Sequence, residues 1–327
     1  MDGTACPFVT PSAFRFALFI WRHRVRPLSG RGTVAVVNGF RGVQAAAVTP
    51  RGRNGEIDFG AAFELIDFLA RGCVDGIVLF AAEGEYPAFT AAERSRLCKL
   101  AVKRSRVRVI AGVGSTNLDE SVLLAREAQY AGAEALLVPP PHFYRYDQDD
   151  ILAFYREFAD DVWSDTPLFL YETGATSAIA PETADELLQD GRFAGLVYAG
   201  GDADSFEAFG SGAGILGDDA VLVRDGAAGV ISGAACAAPE VVVGLHRALH
   251  AAEAGNAECW RGRLAELLDW AVRFPQPTAW KAATEVRGLK VGTIGAALSP
   301  RKQRELEDFR EWFRAWFPQM RKRTANA

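Results

Sequence analysis

Three side chains that can move protons stand where short apolar runs of the chain end. Glu83 follows a run that begins at Asp75, and Tyr171 and Glu172 close a run that begins at Pro167. A tyrosine hydroxyl in such a place can shuttle a proton or donate a hydrogen bond to a developing oxyanion. The two carboxylates can act as general acid and base, or bind a cationic or polyhydroxylated ligand. The alternatives are a tyrosine packed at a strand end and two solvated acids.

The same acids, with one histidine and one of two aspartates, form the set that we weigh as a metal site. The set is Glu83, Glu172, His142 and Asp218 or Asp219. Carboxylate and imidazole ligands suit Mg²⁺, Mn²⁺ or Zn²⁺, and such a cation can polarise a carbonyl. However, no H-x-H or H-E-x-x-H spacing occurs, and the chain has only four histidines. We therefore predict no metal and no other cofactor.

Short apolar runs alternate with amphipathic stretches from Gly42 onward, which is the pattern of repeated β–α units. The runs are nearly continuous in apolar residues, as in parallel strands that are buried on both faces. The predicted strands are Gly42–Val48, Asp75–Phe80, Arg106–Ala111, Ala135–Val138, Pro167–Tyr171, Gly195–Tyr198, Gly214–Gly217 and Gly229–Ser232. Eight units predict an α/β fold, a closed (β/α)8 TIM barrel with its site at the C-terminal strand ends. A doubly wound sheet is disfavoured because no G-x-G-x-x-G turn follows an early strand.

Helix signals separate and follow these strands. Thr90-x-x-Glu93 has the spacing of a capping box and predicts a helix start. The other predicted helices are Asp58–Arg71, Asn117–Tyr130, Asp147–Asp161, Glu258–Phe274, Thr278–Arg287 and Pro300–Phe317. The last of them carries aromatic residues at helical spacing, and we expect this stripe to pack on the barrel or on a neighbouring subunit.

We divide the chain into an N-terminal arm (residues 1–41), a (β/α)8 barrel (42–256) and a C-terminal helical extension (257–327). The region from Gly3 to Gly55 contains eight arginines and no acidic residue. We interpret residues 1–41 as a flexible, disordered arm or as residues upstream of the true start. An organellar address is the alternative, since such leaders are rich in arginine and poor in acids.

Composition excludes several classes of function. The chain has 327 residues, 49% of them hydrophobic and 24% charged, with a net charge of −5. The main body has no block of basic residues, which argues against nucleic acid as a partner. The apolar run Phe14–Trp21 is too short to span a bilayer, so we predict no membrane partner. Five scattered cysteines without a C-x-x-C pair are typical of reduced thiols, and we predict a cytoplasmic protein.

Seven motifs in a fixed order resemble the dihydrodipicolinate synthase / N-acetylneuraminate lyase family, over Gly42 to Leu298. The motifs are D-G-I-V-L-F-A-A-E-G-E with Pro87, V-I-A-G-V-G, V-P-P-P-H-F-Y-R-Y with Gln148, L-F-L-Y ending at Tyr171, G-D-D, G-V-I-S, and Pro277-x-x-x-Lys281-A-A. The resemblance implies a TIM-barrel lyase that acts on a small oxo- or hydroxy-acid and assembles as a homo-oligomer, a dimer or tetramer. It also implies that Tyr171 is the catalytic tyrosine.

The chain departs from the family at the pocket. The stretch Phe193–Asp202 (F-A-G-L-V-Y-A-G-G-D) is similar to the family's I-V-G-I-K-D-A-S-G-D, in which lysine forms a Schiff base. Valine stands in its place and has no amine with which to form an imine. The resemblance implies eight substrate-binding positions: Ala82, Glu83, Phe143, Tyr144, Glu172, Val197, Gly217 and Ile231. Ala82 and Glu83 replace paired threonines, Phe143 replaces a tyrosine, and the arginine of N-V-P-x-R is absent after Glu172.

No other lysine is expected to replace the missing one. The six lysines, which we interpret as solvated surface residues, are Lys99, Lys103, Lys281, Lys290, Lys302 and Lys322. An imine-forming lysine must lie at the C-terminal end of a strand, and none of the six does. We therefore predict a lyase-family protein that acts on or binds an oxo- or hydroxy-acid without a Schiff base. The alternative is a non-catalytic paralogue that serves as a ligand-binding or regulatory subunit.

Overall fold

Eight parallel β-strands form the barrel that the sequence predicts. The computed structural model describes residues 40–162, 165–174, 176–199, 209, 215–224, 229–251 and 253–324. The N-terminal arm predicted over 1–41 therefore lies outside the described residues except for its last two positions. The strands are β1 Gly42–Ala46, β2 Gly76–Leu79, β3 Arg108–Gly112, β4 Ala135–Val138, β5 Leu168–Glu172, β6 Phe193–Tyr198, β7 Ile215–Leu216 and β8 Gly229–Ser232.

The sheet closes on itself between its last two strands. Each strand pairs with its neighbour in parallel, and β8 also pairs with β1, with Val43 opposite Val230. A parallel bridge joins Gly217 to Val230, and the Ile231 amide donates to the Gly217 carbonyl at 3.0 Å. Closure places the C-terminal ends of all the strands around one mouth, which is where barrels of this kind carry their sites.

Helices surround the strands, and six of the predicted helices begin within one residue of their predicted starts. The Thr90 capping box forms, with Thr90 and Glu93 bonding each other's backbone amides, and Asn117 and Asp58 cap the neighbouring helices. The described helices are α1 Phe59–Arg71, α2 Ala91–Arg104, α3 Leu118–Ala131, α4 Gln148–Val162, α5 Pro181–Gln189, α6 Asp219–Arg224, α7 Pro239–His250, α8 Ala254–Ala271, α9 Thr278–Val286 and α10 Pro300–Thr324. Helices α5, α6 and α7 were not among the predicted segments, and α8 begins at Ala254, four residues before its predicted start at Glu258. None of the described helices is long and apolar enough to cross a membrane.

Apolar side chains fill the inside of the barrel. One cluster of them comes from every strand and includes Val78, Ile110, Phe169, Val197 and Ile231. Layers of side chains of this kind make such a barrel a packed core and not a pore. The floor of any site at the mouth is consequently hydrophobic.

The aromatic stripe of α10 packs on its own chain, as one of the two predicted alternatives proposed. Phe309 and Phe313 are fully buried, and Trp316 and Phe317 are nearly so. The Arg287 guanidinium lies 3.8 Å from the Phe317 ring centroid and pairs with Glu240, which fastens α10 and α9 to α7. The C-terminal helices are in this way held against the barrel.

Candidate active site

Tyr171 lies at the C-terminal end of β5 and connects it to the loop after β2. Its side chain is 1% exposed, and its hydroxyl oxygen accepts a hydrogen bond from the Ala82 amide at 3.2 Å. Burial, and next the charge of Glu83, raise the pKa of Tyr171 well above its usual value. The hydroxyl therefore keeps its proton and can act as a hydrogen-bond donor.

Val197 sits opposite Tyr171 in the ladder between β5 and β6 and is fully buried. It packs in the apolar core inside the barrel together with Ile231, another predicted pocket residue, and with Leu216 of β7. Gly217 follows Leu216, and a Cβ atom there would lie 2.5 Å from Val221, so glycine is needed for space. The lysine position of the family is thus occupied by packed hydrocarbon.

Lys281 corrects the prediction that every lysine is solvated. It is 2% exposed on α9, pairs with Glu85, and donates to the Thr293 carbonyl at 3.1 Å. The prediction failed because a helix position does not reveal that another segment covers it. Lys99, Lys103 and Lys290 are exposed, as predicted, and Lys322 has a side chain outside the described ones.

Glu83 lies in a single 3₁₀ turn, Ala82–Gly84, directly after β2. Its side chain is 8% exposed, and its Oε2 has no hydrogen-bond partner in the described part of the chain. Burial raises the pKa of Glu83 to about 7, with smaller contributions from the charges of Asp219 and Asp218. Near neutral pH the group can therefore either take up or give up a proton.

Asp219 is a second buried acid on the same side of the mouth. It accepts hydrogen bonds from the Ser232 hydroxyl and from the Ala234 amide (2.9 Å), so it ties the start of α6 to the turn after β8. Burial raises the pKa of Asp219 to about 7. Its neighbour Asp218 accepts from the amides of Ala220 and Val221 and caps α6.

Glu172, which we expected at the rim beside Glu83, has a different environment. It is 5% exposed, and its two oxygens accept hydrogen bonds from the amides of Gly174 (3.1 Å) and Ile179 (2.8 Å). Burial raises the pKa of Glu172, and these bonds oppose the effect. The carboxylate thus holds both ends of the loop after β5.

The residues weighed as a metal site are not gathered into one. Among the residues that the structure describes, no group of three or more His, Cys, Asp or Glu side chains could hold a metal ion. His142 instead contacts the Tyr86 hydroxyl at 3.5 Å through Nε2. Burial lowers the pKa of His142, so the ring is neutral near pH 7.

Phe143 and Tyr144 lie on the loop after β4 and are open to solvent. They are 82% and 68% exposed, and their rings meet edge to face. Phe143 has φ +84°, a left-handed conformation that is unusual for a bulky residue. Gln148 binds the Ala178 carbonyl and the Ala180 amide, so it fixes the neighbouring loop.

Sequence reasoning missed three residues that shape the mouth. Arg94 is buried and donates to the carbonyls of Gly112 and Gly114, which fixes the end of β3. Gly233 and Trp280 lie next to Glu83. An arginine in an exposed-looking helix, a glycine after a strand and a tryptophan beyond the barrel carried no signal that pointed to the mouth.

Comparison with known proteins gives one family. The model of the dihydrodipicolinate synthetase family matches residues 39–314. A 4-hydroxy-tetrahydrodipicolinate synthase of Bacillus subtilis is 29% identical over 80% of this chain and 94% of its own length. The same-named protein of Exiguobacterium sp. is 32% identical, over 80% of this chain and 92% of its own length.

Solved structures agree with the fold. A dihydrodipicolinate synthase from Aquifex aeolicus superposes with a TM-score of 0.76 at 25% identity, covering 85% of this chain and 98% of its own. A sialic acid aldolase of Ruminococcus gnavus has a TM-score of 0.76 at 18% identity, covering 86% and 100%, and this likeness concerns the fold alone. With the family match over most of its length, the chain belongs to the dihydrodipicolinate synthetase family.

Proposed function

We propose that the chain is a lyase for a small oxo- or hydroxy-acid that works without a Schiff base, by proton transfer between Glu83 and the substrate, with Tyr171 as a hydrogen-bond donor. The observation that carries the proposal is the buried Glu83 carboxyl, with a pKa of about 7, on the loop whose Ala82 amide bonds Tyr171. A base is most effective when its pKa is near the working pH. Val197 leaves no amine at the family's lysine position.

In this mechanism ionised Glu83 removes a proton from the carbon next to the substrate carbonyl. Tyr171 keeps its proton, because its pKa is raised, and donates a hydrogen bond to the oxygen on which negative charge develops. Return of the proton from Glu83 to the same carbon gives exchange without net reaction. In the lyase reaction the C–O bond at the next carbon breaks, its electron pair leaves with the oxygen, and the departing group takes the proton from Glu83. Burial strengthens both interactions because little water competes with them.

The test follows deuterium exchange at C3 of 2-oxobutyrate in D₂O by proton NMR. We expect exchange catalysed by the wild type and a loss of about 10²-fold or more in Glu83→Gln and in Tyr171→Phe, the usual size of a general acid–base contribution. Glu172→Gln is the matched control, since its carboxylate is bonded to backbone amides, and it should retain exchange. Catalysed exchange that survives in Glu83→Gln would contradict the role of Glu83.

Borohydride trapping with pyruvate, followed by intact mass, tests the absence of an imine. We expect no adduct on the wild type and an adduct on Val197→Lys, because the variant restores the amine. An adduct on any lysine of the wild type contradicts the proposal. Buried Lys281 is the position to check first by peptide mapping.

A second candidate is the non-catalytic paralogue, a ligand-binding or regulatory subunit. It is favoured by Val197, which is fully buried among the apolar side chains inside the barrel. In that case the wild type shows no exchange above the uncatalysed rate with any 2-oxo acid, while ligands still raise its melting temperature. For either function we propose a homo-oligomer in the cytoplasm, and the oligomer can be measured by light scattering.

A further inference from the structure

A tryptophan of the C-terminal extension reaches the acids at the barrel mouth. Trp280 belongs to α9 and is 5% exposed. A Cβ atom built on Gly233, in the turn after β8, would lie 2.6 Å from the Trp280 indole nitrogen and 3.1 Å from Glu83 Oε1. The indole N–H and the carboxylate, which are almost two hundred residues apart in sequence, therefore approach the same point.

Gly233 is a glycine because of this approach and not because of its backbone. Its φ of −69° and ψ of −37° are right-handed helical values that every residue adopts. No real side chain could place an atom 2.6 Å from the indole nitrogen without moving the tryptophan. The indole nitrogen and Glu83 Oε1 thus both border the space that a side chain at position 233 would fill.

The carboxylate of this pair has an atom that lacks a partner. Glu83 is more than nine-tenths buried, and its Oε2 has no hydrogen bond within the described residues. A buried polar atom without a partner is costly, and in native proteins it is found mostly where a ligand, an ion or a water supplies the bond. The Glu83 carboxylate, with Oε1 on the side of Trp280 and Oε2 without a partner, is consequently the group around which a ligand site can form.

We infer that Trp280 and Glu83 together bind a hydroxyl group of a small ligand. An indole N–H can only donate, whereas a carboxylate accepts. A hydroxyl group satisfies both, because its oxygen accepts from Trp280 and its proton goes to Glu83. A carbonyl satisfies only the indole, so at this point of the site the pair favours a hydroxyl group over a carbonyl group. The inference rests on the proposed site but concerns binding, and it does not require turnover.

Indole ¹⁵N–¹H spectra of the full chain test this pair directly. The seven tryptophans give seven indole signals, and the signal that disappears in Trp280→Phe is assigned to Trp280. The probes are lactate, which has a hydroxyl, pyruvate, which has a carbonyl in its place, and glycerol, which has hydroxyls and no carboxylate. We expect lactate to shift the Trp280 signal at concentrations about tenfold below those that pyruvate needs, the effect of one lost hydrogen bond to a charged group. A shift by glycerol as well assigns recognition to the hydroxyl alone.

Variants separate the pair from general changes in packing. Glu83→Gln and Gly233→Ala should each weaken lactate binding about tenfold, because one removes the charged acceptor and the other forces the partners apart. Trp270→Phe, in the aromatic cluster with α10, is the control and should leave the affinity unchanged. If Gly233→Ala fails to fold, Glu83→Gln alone carries the comparison, since glutamine has the same shape.

Three results would overturn the inference. The first is binding of lactate that leaves the Trp280 signal in place, and the second is no response to any of the three probes. The third is unchanged affinity in Glu83→Gln. Failure of the proposed lyase activity is recognised separately, because the lactate shift of Trp280 would then persist while deuterium exchange is absent.

Discussion

Glu83 and Glu172 have the same residue type and the same kind of position, yet their chemistry differs. Glu83 lies in the turn after β2 and Glu172 is the last residue of β5, and each is more than nine-tenths buried. Both oxygens of Glu172 accept hydrogen bonds from backbone amides, whereas Oε2 of Glu83 has no hydrogen-bond partner among the described residues. The first carboxylate is therefore part of the framework, and the second is available for a ligand.

Glu85, two residues after Glu83, extends the comparison to an acid that is neutralised by a cation. Its carboxylate pairs with buried Lys281 and accepts from the Gly295 amide at 3.0 Å. Among the described residues, these three acids near the barrel mouth thus differ in their partners. Glu172 accepts hydrogen bonds from backbone amides, Glu85 pairs with a lysine, and Oε2 of Glu83 has no hydrogen bond. Substitutions that remove one of these acids or its partner should therefore change the free energy of unfolding by different amounts.

The largest effect on stability is expected from Lys281→Met. Loss of the amine leaves the Glu85 charge buried without its cation, which typically costs about 3–5 kcal/mol. Urea unfolding measures the free energy. Lys302→Met is the matched control, because Lys302 pairs with Glu305 nearer the surface and should contribute about 0–1 kcal/mol. Equal losses of unfolding free energy in the two variants would show that Lys281 and Glu85 do not behave as a buried ion pair.

A somewhat smaller loss is expected from Glu172→Ala. The buried Ile179 amide would lack an acceptor, at about 1–3 kcal/mol, whereas the amide of exposed Gly174 can bond water instead. Glu172→Gln keeps one acceptor oxygen and should lose about half as much. Glu186→Ala removes an exposed acid that pairs with Arg156 and serves as the reference. If Glu172→Ala loses no more free energy of unfolding than Glu186→Ala does, the bonds to Glu172 do not stabilise the fold. Glu172 and Glu83 then do not differ in the way described.

The framework was predictable from the sequence because its signals are local. Apolar runs predicted the strands, and the spacing of Thr90 and Glu93 predicted the exact residue at which a helix is capped. The order of the strand-end motifs also placed Val197 and Tyr171 on adjacent strands, as their pairing confirms. Periodicity and caps depend on neighbours in sequence, so one chain suffices to read them.

The roles of the acids could not be predicted, because they depend on contacts between distant segments. Glu172 differs from Glu83 because it accepts hydrogen bonds from amides of the loop after β5. Lys281 differs from the exposed lysines because the segment around Thr293 covers it. The approach of Trp280 to Glu83 depends on how α9 docks against the turn after β8. None of these contacts leaves a pattern of residue spacing.

Glu83 should also make stability depend on pH, in the same direction as Glu172, whose pKa is raised as well. Its pKa in the folded chain is about 7, above the value of 4.5 for an unperturbed glutamate, so the folded state binds more protons. Stability from Glu83 is therefore full below about pH 4.5 and is lost as the pH rises to 7. In Glu83→Gln this loss should vanish, so the variant gains about 2–3 kcal/mol relative to the wild type between pH 4.5 and 8.

The measurement is the difference in free energy of unfolding between wild type and Glu83→Gln across that pH range. Asp219 shifts in the same direction as Glu83, but it is present in both proteins and cancels. A difference that stays constant with pH would mean that Glu83 ionises normally. In that case the carboxyl is hydrated, and its Oε2 is not an unpartnered atom.

The smallest effect on stability, and the sharpest contrast with activity, is expected from two buried tyrosines. The Tyr155 hydroxyl donates to the Val138 carbonyl at 2.9 Å, whereas the Tyr171 hydroxyl accepts from Ala82. Tyr155→Phe and Tyr171→Phe should each lose about 1 kcal/mol, the net worth of one hydrogen bond. Tyr155 uses its hydroxyl proton in its bond to the backbone, whereas Tyr171 accepts and keeps its proton available for a ligand oxygen. Deuterium exchange should therefore fall in Tyr171→Phe and persist in Tyr155→Phe, and equal exchange in both would make Tyr171 a packing residue like Tyr155.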